Sequence, residues 1–138
     1  MLALESAMRR GELLALRWEY INLAAQTAFL PITKNGTART VPLSKKAIAI
    51  LEGLSSYGTV GPVFPISHMT LHNCFVAACH RAKITDLRFH DLRHTATSRL
   101  AEKLPNVIEL AAVTGHQTIQ MLKRYYHPKA EILAQKLG

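Results

Sequence analysis

The sequence predicts a mainly α domain carrying one small antiparallel three-stranded β-sheet near its start. Three observations carry this. A chain of 138 residues with 49% hydrophobic side chains is enough for one core and short for two. Asn35-Gly36 lies between two short runs suited to strands, and both residues accept the positive φ of a tight hairpin. From Ser44 onward helix starts and stops recur, with apolar residues three and four apart between them.

Taken in order, residues 2–18 read as helical with an interruption near Arg9 to Gly11, and Leu13, Leu14, Leu16 and Trp18 supply an apolar face. Tyr20 to Leu23, Thr27 to Ile32 and Ala38 to Leu43 read as three short strands, the last two joined through Asn35-Gly36. Lys34 therefore stands beside a hairpin tip. Ser44 suits a helix N-cap, with Lys45 to Leu54 as the helix and Ser55 to Gly61 as the loop that ends it. A helix from about Met69 to Lys83 is expected to bury Leu71, Phe75, Ala78 and Ala82. Asp91 opens another, with Leu92, Ala96 and Leu100 as its inward stripe. Pro105 starts the next, with Val107, Leu110 and Ala111 inward and Gly115 as its C-terminal cap. A short helix from Thr118 carries Tyr125, and Pro128 separates it from a last amphipathic segment with Ile132, Leu133 and Leu137.

The net charge of +8 favours a polyanionic partner, although basic ribosomal and membrane-surface proteins share such a balance. Cys74 and Cys79, five apart in a helical stretch, suit neither a disulfide nor a C-x-x-C site and are expected as reduced core residues. No apolar run reaches transmembrane length and Met1 to Glu5 does not resemble a signal peptide, so the expected location is the cytoplasm. His68 and His72 have the i, i+4 spacing of metal ligands but lack an evident third, so no metal is expected.

The chemistry concentrates in F-H-D-L-R-H-T-A from Phe89, V-T-G-H from Val113 and R-Y-Y-H from Arg124. His90 and Arg93 leave one face of a helix start, where backbone amides also favour an anion. Arginine offers a planar fork for two phosphate oxygens, histidine supplies hydrogen bonds near neutral pH, and a phenol oxygen can form an ester with phosphorus. This is a kit for covalent attack on a phosphodiester without metal or cofactor. Taken singly, each residue has an ordinary reading: a solvated arginine, a surface lysine, a packed capping histidine, a half-buried tyrosine pair.

Together the strings resemble the tyrosine recombinases, the phage integrase and Xer-type family. H-D-L-R-H-T-A is similar to its H-x-x-R box, and G-H followed by eight residues and Y-Y-H is similar to its closing box. S-A-M-R-R-G-E-L-L-A-L-R-W resembles the first arginine box, with Ser6-Ala7 where Thr-Gly is usual, a departure that bears on the local turn. I-T-K-N-G-T-A-R-T-V-P-L resembles the hairpin that carries the catalytic lysine.

The resemblance implies a tyrosine recombinase catalytic domain, of the DNA breaking-rejoining fold. Arg9, Lys34, His90, Arg93 and His116 would be catalytic, with Glu12 beside Arg9 and with Tyr125, nine residues after His116, as the nucleophile. Arg9 and Arg93 would grip the phosphate, His90 and His116 would hydrogen-bond it, and Lys34 would protonate the leaving 5′ oxygen. Arg10 and Arg39 are expected to contact the DNA backbone, and His127 fits the pattern beyond the nucleophile.

It further implies double-stranded DNA as partner, a homotetramer on DNA for the full-length protein, and no cofactor. Family members carry more of the catalytic domain before the first arginine box, and a separate DNA-binding domain before that. This chain has eight residues before Arg9, so an N-terminally truncated catalytic domain is expected. The alternatives are a type IB topoisomerase-like enzyme, which uses a similar residue set but reseals the same strand, and a non-catalytic DNA-binding remnant.

Overall fold

The computed structural model describes residues 1–31 and 37–138. Lys34 and the Asn35-Gly36 hairpin signal lie outside the described residues. Helix α1 (Leu2–Ser6) and helix α2 (Arg10–Ala15) precede a three-stranded antiparallel sheet, β1 (Ile21–Asn22), β2 (Thr27–Leu30) and β3 (Arg39–Pro42), in the order β1-β2-β3. Then come α3 (Lys45–Glu52), α4 (His68–Arg81), α5 (Phe89–Lys103), α6 (Val107–Thr114), α7 (Ile119–Leu122) and α8 (Ala130–Leu137). The fold class read from the sequence is the one found. Among the described residues, no helix is long and apolar enough to cross a membrane.

Register follows the alternation of side chains. Ala28 pairs with Val41 and both are fully buried with Leu30, while Phe29 points outward. That inner face joins Leu2, Met8, Leu13 and Leu16 from the first two helices and Ala47 and Leu51 from α3 in one apolar cluster. Each fully buried leucine contributes about 1.5–3 kcal/mol relative to exposure. A second cluster gathers Ala101, Leu110 and Leu122, with Leu100, Leu104, Tyr125 and Tyr126 against it. Helix α5 spans both, placing Phe89 and Leu92 on the first cluster and Leu100 and Ala101 on the second. Its first two turns therefore stand at the seam between them.

Several boundaries differ from the sequence reading. The break in the first helix falls at Ala7, in the left-handed region with φ 54, and Gly11 is inside α2. Tyr125 ends a 3-10 turn (Lys123–Tyr125) after α7 rather than riding on a helix. Ala78 and Ala82 are exposed, because α4 meets the body along a narrower stripe of half-buried Leu71, Phe75 and Cys79, with Phe75 edge-on to Phe89. Cys74 is exposed on the same helix, so the expected burial of both cysteines fails there; both are free thiols.

Candidate active site

Arg9 caps the start of α2. Its backbone N–H donates to Glu12 Oε2 at 2.8 Å and its Nη1 donates to Oε1 at 3.2 Å, so one carboxylate closes the first turn and holds the side chain. From the sheet, Arg39 reaches the same carboxylate with two bonds, Nη1 to Oε1 at 2.6 Å and Nη2 to Oε2 at 3.0 Å. This bidentate fork ties β3 to α2. Burial pushes the Glu12 carboxyl up, but the Arg39 hydrogen bonds, the Arg9 amide and both guanidinium charges together hold it below the ordinary carboxylate value. Glu12 thus remains an anion with its oxygens occupied.

Helix α5 opens with a similar device, the Arg88 amide donating to Asp91 Oδ2 at 2.8 Å. His90, Arg93 and His94 then leave one face, three and four residues apart. Arg93 is 4% exposed, and its Nη1 donates to the carbonyl of Ala7 across the seam. Its Nη2 is buried with no hydrogen-bond partner among the described residues. Burial, then the neighbouring charges of Arg9 and Arg39, lower Arg93 to about 10 despite the opposing pull of Glu12 and Tyr125. A buried cation with an unspent donor beside two other arginines favours an anion between them.

Helix α6 ends at Gly115 in the left-handed conformation with φ 75, and His116 follows. The Thr114 hydroxyl lies 2.8 Å from the Leu110 carbonyl and 2.6 Å from His116 Nδ1. A carbonyl can only accept, so the single hydroxyl proton goes to Leu110 and His116 Nδ1–H donates to Thr114. Nε2 is left free to address the site. Burial, then Arg93, Arg9 and Arg39, lower His116 to about 4, so its neutral form prevails near pH 7. His90 is lowered by burial first and then by His94, Arg93 and Arg9.

The two tyrosines are told apart by their hydroxyls. Tyr126 donates to the Leu104 carbonyl at 2.6 Å and packs on the second cluster; burial, then Glu109, raises its pKa. Tyr125 instead meets His94 Nδ1 at 2.7 Å, and the Arg124 guanidinium lies 5.5 Å from its ring centroid.

Arg9, His90, Arg93, His94, His116 and Tyr125 converge on one open cleft of about 400 Å³, with Gln120, Met121 and Arg124 completing its wall. Five of the six residues expected to be catalytic are brought together; the sixth, Lys34, lies outside the described residues. Gln117 Nε2 donates to Thr37 Oγ1 at 3.1 Å, which holds the start of the returning strand beside the His116 loop. Arg10 is exposed and faces a larger adjoining cleft of about 780 Å³ with His68 and His72. Arg39, expected on the DNA backbone, is bound to Glu12 with only 11% of its side chain exposed. His127 is exposed. His94 also lines the cleft; the sequence motifs do not single it out, although its position one helical turn after His90 puts both on one face.

Residues 1–131 match the phage integrase family. A shufflon-specific DNA recombinase of Escherichia coli is 49% identical over 137 residues, an alignment covering 99% of this chain and 35% of the recombinase. A putative integrase/recombinase of Haemophilus influenzae is 44% identical over 137 residues, covering 98% of this chain and 45% of that one. Among solved structures, the catalytic domain of bacteriophage HP1 integrase is similar with a TM-score of 0.75 at 26% identity, over 98% of this chain and 77% of that chain. The chain therefore spans less than half the length of these two sequence relatives.

Proposed function

Because this chain belongs to the phage integrase family, we propose that it is the catalytic part of a site-specific DNA recombinase that breaks and rejoins DNA through a 3′-phosphotyrosine. One observation carries the assignment: the Tyr125 hydroxyl opens on a cleft with buried Arg93, Arg9 and His116, while the Tyr126 hydroxyl is spent on a backbone carbonyl.

The Tyr125 oxygen attacks the phosphorus, the P–O5′ bond breaks, and the leaving oxygen takes a proton from Lys34. Arg9 and Arg93 offer N–H donors to the non-bridging oxygens as charge builds on them. Groups fixed in advance around a transition state act most strongly, and losing one donor costs on the order of 100-fold in rate. A phosphate held by Arg9 and Arg93 also offsets the charges that, after burial, keep His116 and His90 lowered, which favours their protonated, donating forms when DNA is bound. A 5′-hydroxyl of a second strand then attacks the phosphotyrosine. The bond energy is conserved, and neither metal nor nucleotide hydrolysis is needed.

The partner is double-stranded DNA, and the working unit is four protomers on two duplexes. Ile132, Leu133 and Leu137 on α8 are exposed and suit contact with a neighbouring protomer.

The test is covalent capture from a pool of nicked duplexes randomised around the nick. It is run with this chain and with a chimera carrying the N-terminal region of the shufflon-specific relative. Protein–DNA adduct surviving denaturation is expected, lost in Tyr125→Phe and retained in Tyr126→Phe. No adduct from either protein, or an adduct that persists in Tyr125→Phe, overturns the proposal.

A further inference from the structure

Attack by a phenol requires that its proton go somewhere, and the phosphate-binding groups are poorly suited to take it. Arg9 and Arg93 are cations. The Glu12 carboxylate already accepts from Arg9 and twice from Arg39. His116 is fixed by Thr114 with its proton on Nδ1, and once it is protonated on Nε2 to donate to the bound phosphate it has no lone pair left for the phenol proton. His90 stands edge-on to His94 with ring centroids 5.0 Å apart, and no hydrogen bond joins it to Tyr125. Asp91 is held by the Arg88 amide.

His94 differs from all of these. Its Nδ1 is 2.7 Å from the Tyr125 oxygen, the two rings are inclined by only 29°, and the contact joins α5 to the turn after α7. The titratable and charged groups around it are His90 and Arg93 on its own helix, Arg9 at the start of α2, His116 after α6, and Arg124 and Tyr125 after α7.

We propose that His94 is a catalytic base of this site, taking the Tyr125 proton on Nδ1 during cleavage and returning it during rejoining. This rests on the reading of Tyr125 as nucleophile. In cleavage the phenol O–H electron pair stays on oxygen and becomes the new O–P bond, the proton moves to Nδ1, and the 5′ oxygen departs with the P–O5′ pair and a proton from Lys34. In rejoining, the incoming 5′-hydroxyl gives its proton back to Lys34, and the departing phenolate recovers its own from Nδ1. His94 must therefore wait as the Nε2–H tautomer, its bare Nδ1 accepting from the phenol.

Two measurements test this separately from the nucleophile assignment. Nitrogen-15 NMR of the imidazoles, with His94 assigned by the loss of its signals in His94→Gln, should show the proton on Nε2. It should also show an Nδ1 signal that moves in Tyr125→Phe. A proton on Nδ1 in the neutral ring overturns the proposal, whether or not any DNA is cleaved. In covalent capture, His94→Gln should slow attachment on the order of 100-fold or more, the usual scale of general base catalysis, with DNA affinity little changed. Free imidazole should restore part of the rate lost in His94→Ala. Attachment by His94→Gln within about threefold of the unsubstituted rate overturns the inference. An adduct that survives Tyr125→Phe instead removes the nucleophile reading on which it rests.

Discussion

Ala7 shows how one residue shapes the site from outside it. It is fully buried in the left-handed region, φ 54 and ψ 17, where a Cβ costs about 1–2 kcal/mol, and its carbonyl receives Arg93. The turn is held by its neighbours: Ser6 Oγ donates to the Leu2 carbonyl at 2.9 Å and accepts from the Met8 amide at 3.3 Å. Glycine would adopt the same backbone without steric cost, at some loss of unfolded-chain restriction. Ala7→Gly is therefore expected to raise stability by about 0.5–1 kcal/mol in denaturant unfolding, with Arg93 still seated. Unchanged or lower stability would show that the turn is not under strain. Ser6 and Ala7, where the resemblance implies Thr-Gly, both lie in this turn.

At the scale of elements, the site depends on how the end of α6 meets the sheet. A Cβ on Gly115 would fall 2.6–2.9 Å from the Arg39 guanidinium, and its φ of 75 is itself unfavourable for any side chain. The guanidinium cannot move aside without leaving Glu12, which also anchors Arg9. Gly115→Ala is expected to destabilise the fold by about 1–3 kcal/mol and to weaken covalent capture in the same variant. Wild-type stability by denaturant unfolding would contradict the coupling.

This arrangement marks where the sequence is legible. Helix α5, the capping glycine and the three strands follow from local periodicity and helix-capping chemistry, and so does the pairing of His90 with Arg93 on one face. The Glu12–Arg39 fork joins residues 27 apart, and no local pattern encodes it. The 3-10 turn that aims Tyr125 at His94 depends on packing of α7 against α5 and α6. For α4, the i, i+4 stripe predicted the inward face but not how little of it the body would meet.

For the whole molecule, Arg9, Arg39 and Arg93 crowd one seam of a chain whose net charge is +8. Their field, added to burial, keeps His116 at about 4 against an ordinary 6.5. Between these values the unfolded chain binds more protons than the folded one, so this contribution to stability is fully present above pH 6.5 and is lost as pH falls toward 4. His90 acts in the same direction. Urea midpoints should therefore fall between pH 7.5 and 5; an unchanged midpoint would mean that the histidines are not depressed. The same charges predict DNA binding dominated by phosphate contacts. Affinity should drop steeply as salt rises and be no tighter than roughly micromolar near physiological salt, the range of non-specific binding. Nanomolar, salt-resistant binding would contradict this. Attack by Tyr125 on a phosphate held by this seam would leave a covalent bond whose position can be located. Captured adduct is digested with nuclease and trypsin, and the peptide spanning Tyr125 to Lys129 is fragmented in a mass spectrometer. A nucleotide joined through its 3′-phosphate to Tyr125 is expected; a nucleotide on Tyr126, or one joined through a 5′-phosphate, would overturn the assignment.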